Sequence, residues 1–186
     1  MKNIVLFASG GGSSVENMLR SFINEKQIKV LGIFCNNQKA GLLKRVYLKK
    51  YKTIIFKNND LLNGNVFGQL KRLDPELIVL AGFLKKIPKD IILNYHKRII
   101  NIHPSLLPKY GGKNMYGNNV HKAVIENNEK KSGFTIHYVN EEYDQGDIIF
   151  QKSIEVDTKN VDELANKILE EEHKYYPIIV KQVLNA

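Results

Sequence analysis

Five short apolar runs, each separated from the next by a longer amphipathic stretch, constrain this 186-residue chain more than any other feature. The runs lie near 3–8, 29–35, 53–56, 76–81 and 98–102, with helical patterning near 14–24, 40–50, 60–73 and 88–94 between them. Strands joined by helical crossovers pair in parallel. A helix near 119–128 then leads to strands near 132–139 and 147–155, whose loop at 140–146 is short enough only for an antiparallel hairpin. A last helix near 160–184 carries Val161, Leu164, Ile168 and Leu169 on one face, and Pro177 should kink or divide it. The expected fold is a single Rossmann-like α/β domain over 1–186, a mostly parallel sheet flanked by helices on both faces with a C-terminal antiparallel hairpin.

Composition removes several classes. With 43% hydrophobic and 25% charged residues and no biased stretch, the chain is neither disordered nor fibrous. No apolar run approaches the roughly 20 residues that a membrane helix needs. Met1-Lys2-Asn3 runs straight into a strand without a signal-peptide cleavage site, so a cytoplasmic protein is expected. The single cysteine, Cys35, allows neither an internal disulfide nor a zinc cluster and reads as a buried thiol. The net charge of +9 suits nucleic acid or small anions equally and decides nothing alone.

After the first strand comes Ser9-Gly10-Gly11-Gly12-Ser13-Ser14-Val15-Glu16. Glycines let a ligand approach the backbone, and the first N–H groups of the following helix are unpaired, so an anion such as phosphate fits here. Ser13 and Glu16 have the spacing of a capping box. A dinucleotide fingerprint would need Gly or Ala at Val15 and an acid where Asn36-Asn37 stand, and a P-loop would need a lysine that is missing between Ser9 and Arg20. A single phosphate site survives, beside the plainer reading of a tight capped turn.

Strand five ends in Asn101-Ile102-His103-Pro104-Ser105-Leu106-Leu107-Pro108 and opens the longest aperiodic segment, 103–118. The carboxyl ends of parallel strands line ligand crevices, and alternation places Asn101 and His103 on one side, where an amide and an imidazole could serve one developing oxyanion. A structural histidine at a capped strand end is the alternative. A carboxylate nearby would favour imidazolium, and Asn140-Glu141-Glu142-Tyr143-Asp144-Gln145-Gly146-Asp147 offers four. His137, mid-strand beside Thr135 and Val139, reads as structural.

Taken in order, the glycine turn, Leu80-Ala81-Gly82-Phe83, the Asn101-to-Pro108 block and Tyr143-Asp144-x-Gly146 resemble the phosphoribosylglycinamide formyltransferases, or glycinamide ribonucleotide transformylases. The resemblance covers nearly the whole chain. It implies formyl transfer from 10-formyltetrahydrofolate, as co-substrate and without a metal, to the amino group of glycinamide ribonucleotide in purine synthesis. It implies Asn101, His103 and Asp144 as catalytic residues. Gly12, Ser13 and Ser14 would hold the substrate phosphate, and Glu172 the nucleotide. Leu84, Lys85, Lys86, Ile87 and the backbone of Asn140, Glu141, Glu142, Tyr143 and Asp144 would bind the folate, with Asn101 at its reacting end. Implied too are a cis Leu107-Pro108 bond and, as partners, only these two small molecules, with no nucleic acid and no membrane, for a monomer or weak homodimer. The chain departs from the family at Ser14, usually Asn, and near Gly64, often an Arg that contacts folate; 109–120 is longer than in many members.

Three other readings compete. Methionyl-tRNA formyltransferase shares the core but carries an additional C-terminal domain, and formyltetrahydrofolate hydrolase is preceded by a regulatory domain. A basic RNA-binding protein would show interleaved basic and aromatic residues, and Lys49-Lys50-Tyr51-Lys52 is one short run.

Overall fold

The computed structural model describes all 186 residues. Its elements are β1 (Lys2–Ala8), α1 (Ser13–Ser21), β2 (Ile28–Cys35), β3 (Thr53–Ile55), α2 (Asn58–Leu62), α3 (Asn65–Leu73), β4 (Leu77–Leu80), α4 (Lys89–Asn94), β5 (Ile99–His103), α5 (Asn118–Glu126), β6 (Lys131–Tyr138), β7 (Ile148–Glu155) and α6 (Val161–Asn185). One seven-stranded sheet has the order β3-β2-β1-β4-β5-β6-β7. The first five strands are parallel, as their crossovers require. β6 and β7 form the expected hairpin, and β6 also pairs antiparallel with β5, setting Asn101 opposite His137 and His103 opposite Thr135.

Alternation along the central strands divides the core in two. Ile4, Leu6, Val79 and Ile100 face α1, α5 and α6 through Val15, Val124, Leu164 and Val180. Val5, Phe7, Ile78 and Ile99 face α2, α3 and α4 through Leu61, Leu70 and Ile91, and Phe7 stacks on Phe34 at 4.7 Å. Because both faces are covered, Ile4 through Ala8 are apolar without interruption and at most 1% exposed. Each such side chain contributes about 1.5–3 kcal/mol by leaving water. Cys35 is buried, as a core thiol should be. No helix is long and apolar enough to cross a membrane.

Four local expectations change. The helix near 40–50 is instead two tight 3₁₀ turns, Gly41–Lys44 and Val46–Lys50, broken where Arg45 turns extended (φ −73°, ψ 115°). The helix near 60–73 is divided at Asn63-Gly64 into α2 and α3. No capping box forms at α1: Gly12 is the cap residue, and the Glu16 carboxylate goes to Arg20 and Arg45 instead. Pro177 does not divide α6. A proline has no N–H for the carbonyl four residues earlier, and here the His173 carbonyl accepts from Asn17 Nδ2 at 2.7 Å, so the missing helical bond becomes a tie between α6 and α1.

Candidate active site

Parallel strands end together, and beyond the ends of β1, β2, β4 and β5 lies a cleft of about 590 Å³. Its walls include Leu80, Phe83, Leu84, Ile87 and Val139, apolar and able to take a flat ring, with Asn36, Asn37 and Asn58 at the β2 side and Asn101, His137 and Asp144 at the β5 side. Ser9, where the glycine turn opens, is also on the wall; its hydroxyl donates to Asn36 Oδ1 (2.7 Å) and accepts from the Leu84 N–H (3.0 Å). The glycine turn and the segment after β4 are thereby locked together.

Asn101, His103 and Asp144 come together. Asp144 Oδ2 lies 3.5 Å from His103 Nδ1 and accepts from the Gly112 N–H at 2.9 Å. Its other oxygen lies 3.6 Å from His137 Nε2, which in turn is 3.2 Å from Asn101 Nδ2. Register explains the convergence: β5 and β6 place Asn101 beside His137, and the loop after β6 folds back with Asp144 in a left-handed conformation (φ 56°). Gly111 permits the close approach, since a Cβ there would overlap Leu107 and stand 3.3 Å from the Asp144 Cβ. Leu107-Pro108 is cis.

His103 Nε2 lies 2.7 Å from the Tyr110 carbonyl, which can only accept, so Nε2 carries a hydrogen and Nδ1 faces Asp144. Burial lowers the His103 pKa below the ordinary histidine value, outweighing the attraction of Asp144 and the Tyr110 bond. Burial thus favours the neutral ring, while the two acceptors facing its nitrogens, the Tyr110 carbonyl and the Asp144 carboxylate, favour the imidazolium. Burial alone would raise Asp144, but the His137 contact, the positive charge that His103 carries when protonated and the Gly112 N–H together hold it below the usual carboxylate range. Both ring nitrogens of His103 are engaged, so Asn101, His137 and Asp144 face the cleft and His103 stands behind them.

The other candidates divide. Leu84, Lys85, Lys86, Ile87, Asn140, Glu142 and Tyr143 line the cleft, whereas Glu141 turns away to Lys89 at 3.1 Å. Gly12, Ser13, Ser14 and Glu172 lie outside it. Ser14 and Glu172 meet in a separate crevice between α1 and α6, with Asn17, Met18, His173 and Tyr176, too tight in this state to admit water. Ser14 Oγ is 3.3 Å from His173 Nε2. Tyr176 donates to the Leu80 carbonyl at 2.9 Å, pinning this part of α6 to the end of β4. Glu172 is 9% exposed, and burial with no compensating partner raises its pKa to about 8. No three His, Cys, Asp or Glu side chains are grouped for a metal ion.

Sequence reading missed His137, the carbonyl of Tyr110 and the asparagines at the β2 end. For His137 the signal existed in alternation with Thr135, but it has meaning only once β6 is known to lie beside β5.

A polar cluster at the end of β5, over a cleft at the strand ends of a sheet of this order, defines a class when set beside known proteins: the formyl transferase family model matches residues 2–180, and the chain belongs to that family. Among its relatives, the phosphoribosylglycinamide formyltransferase of Bacillus subtilis (strain 168) is 34% identical over 99% of this chain and 95% of its own length. The chloroplastic phosphoribosylglycinamide formyltransferase of Arabidopsis thaliana is 35% identical over 96% of this chain, which spans only 64% of that protein. The crystal structure of the phosphoribosylglycinamide formyltransferase from Anaplasma phagocytophilum superposes with a TM-score of 0.87 at 30% identity, covering 99% of this chain and 87% of that one.

Proposed function

We propose that this protein transfers the formyl group of 10-formyltetrahydrofolate to the amino group of glycinamide ribonucleotide, a step of purine biosynthesis. The observation that carries the reading is the convergence of Asn101 and Asp144, from β5 and the loop after β6, at one wall of the cleft, with His103 against Asp144 behind them. Near-complete mutual coverage with the Bacillus subtilis relative supports the choice of acceptor.

The apolar walls and the 84–87 and 140–144 segments suit the folate, which brings the activated formyl group. Ser13, Ser14 and Gly12 bind the phosphate of the acceptor through the unpaired N–H groups at the start of α1. Glu172 accepts from the ribose hydroxyls once the crevice opens, which gives its buried carboxyl the partners it lacks. These contacts hold the glycine amine against the formyl carbon. Asn101 Nδ2 donates to the formyl oxygen as negative charge develops there, a contribution of about 3–4 kcal/mol for a well-placed donor. A proton leaving the attacking amine is taken up at the Asp144 carboxylate and His103 Nδ1 pair, where the imidazolium so formed is stabilised by Asp144, and is returned to the departing folate nitrogen. For this step His103 starts as the neutral ring, the form that its burial favours.

The test offers 10-formyltetrahydrofolate with glycinamide ribonucleotide, charged initiator tRNA, or water alone. Formylated glycinamide ribonucleotide is the expected product. Formyl-tRNA, or free formate at the same rate without acceptor, would overturn the assignment.

A further inference from the structure

The glycine turn is backed by the short turn Gly41–Lys44 and by Arg45. Gly41 packs on Gly11, and a Cβ on Gly12, whose φ is +76°, would overlap Leu42. Two consecutive carbonyls of the glycine turn are tied to this backing: Gly10 O accepts from the Leu42 N–H at 3.1 Å, and Gly11 O accepts from Arg45 Nε at 2.5 Å. The next carbonyl, Gly12 O, accepts from the Glu16 N–H at 2.9 Å. All three peptides from Gly10 to Ser13 are trans, and in a planar trans peptide the N–H points opposite to the C=O. With the three carbonyls fixed, the N–H groups of Gly11, Gly12 and Ser13 are turned the other way, and none of them donates a hydrogen bond within the protein. Arg45 is itself held, by Glu16 Oε2 at 2.8 Å, and Glu16 is held in turn by Arg20, whose guanidinium lies 4.1 Å over Tyr47. Nearby, Glu172 is nine-tenths buried without a partner and lines the same α1–α6 crevice as Ser14.

We infer that Arg45 is a positioning residue for phosphate binding: by gripping the Gly11 carbonyl it sets the Gly11–Gly12 peptide so that its N–H faces the phosphate, and it adds a positive charge behind the cradle. This inference rests on the reading of the glycine turn as the substrate-phosphate site. In this role Arg45 acts through the Gly11 carbonyl. A charge-assisted bond to a carbonyl, lost, leaves that peptide free to turn, and its effect falls on ground-state binding rather than on the chemical step.

The experiment measures formyl transfer together with calorimetric binding of inorganic phosphate and of glycinamide ribonucleotide, for the unaltered protein and for Arg45→Met, Arg45→Lys and Glu16→Gln. Arg45→Met keeps most of the aliphatic stem of a part-exposed side chain, and its thermal unfolding reports that it is folded. The expected result is a rise of about tenfold in the KM and Kd for glycinamide ribonucleotide and in the Kd for phosphate. The change in kcat stays within about twofold, as does the KM for the folate. Arg45→Lys recovers part of the loss, and Glu16→Gln, which frees Arg45 without removing it, loses about threefold. Unchanged phosphate and ribonucleotide affinities in Arg45→Met, or equal losses for Lys and Met, overturn the role of Arg45. Phosphate affinity that falls as expected in a protein formylating some other acceptor keeps that role and discards the acceptor assignment instead.

Discussion

The corner where β5 meets β6 is built from side chains, Asn101, His103, His137 and Asp144, whereas the glycine turn offers backbone N–H groups with Ser14 beside them and Arg45 behind. The difference follows from what each place must do. Stabilising charge that appears only during a reaction needs groups able to hold or move a proton. Holding a phosphate that is already charged needs only fixed dipoles, and a backbone supplies these without titrating. Changes at the first corner should therefore act on kcat, and changes at the turn on KM.

The largest effect expected is from His103→Ala, which removes the proposed proton acceptor behind Asp144: kcat should fall by about 10²–10⁴-fold with the KM for glycinamide ribonucleotide little changed, as steady-state assays would show. Asn101→Ala removes the donor proposed for the developing oxyanion and should cost about 10²–10³ in kcat. At the other region, Ser14→Ala leaves the backbone cradle in place; a rise in KM of a few-fold, with kcat kept, is expected. A loss of kcat in Ser14→Ala equal to that in Asn101→Ala would erase the distinction between the two regions.

A separate effect, on stability rather than on turnover, is expected at Glu172. Glu172 has a pKa raised by burial from 4.5 to about 8, so between those values the folded chain holds a proton that the unfolded chain has released. Its contribution is present below pH 4.5 and is lost as pH rises through about 8. Stability should therefore fall more steeply from pH 5 to pH 8 in the unaltered protein than in Glu172→Gln, by an amount on the order of a few kcal/mol at most, and Tm curves against pH would show it. Parallel Tm curves would show that Glu172 ionises freely.

How much of this could be read beforehand depended on how local each cause is. Strands such as β1 and β4 were legible because burial on both faces leaves an uninterrupted apolar run. Asn101 and His103 were legible as two polar residues ending such a strand. Asp144 was one of four carboxylates in its loop, and only resemblance selected it, because its reach depends on a left-handed turn and on the space left by Gly111. His137 was passed over because the β5–β6 pairing that sets it opposite Asn101 is a long-range fact. Arg45 was hidden inside an expected helix, which breaks because the chain at 41–45 is shaped by packing on Gly11 and Gly12 rather than by its own propensity.

Asp144 joins the two histidines and is the hub of the side-chain corner, so the pH dependence of single-turnover formyl transfer in Asp144→Asn is the most direct measurement. With the carboxylate gone, only the Tyr110 carbonyl still offsets the burial that lowers the His103 pKa. The rate should fall and its His103-dependent limb should move to lower pH, while the Kd for glycinamide ribonucleotide stays within about twofold. An unchanged pH profile, or a loss of binding as large as the loss of rate, would contradict the account.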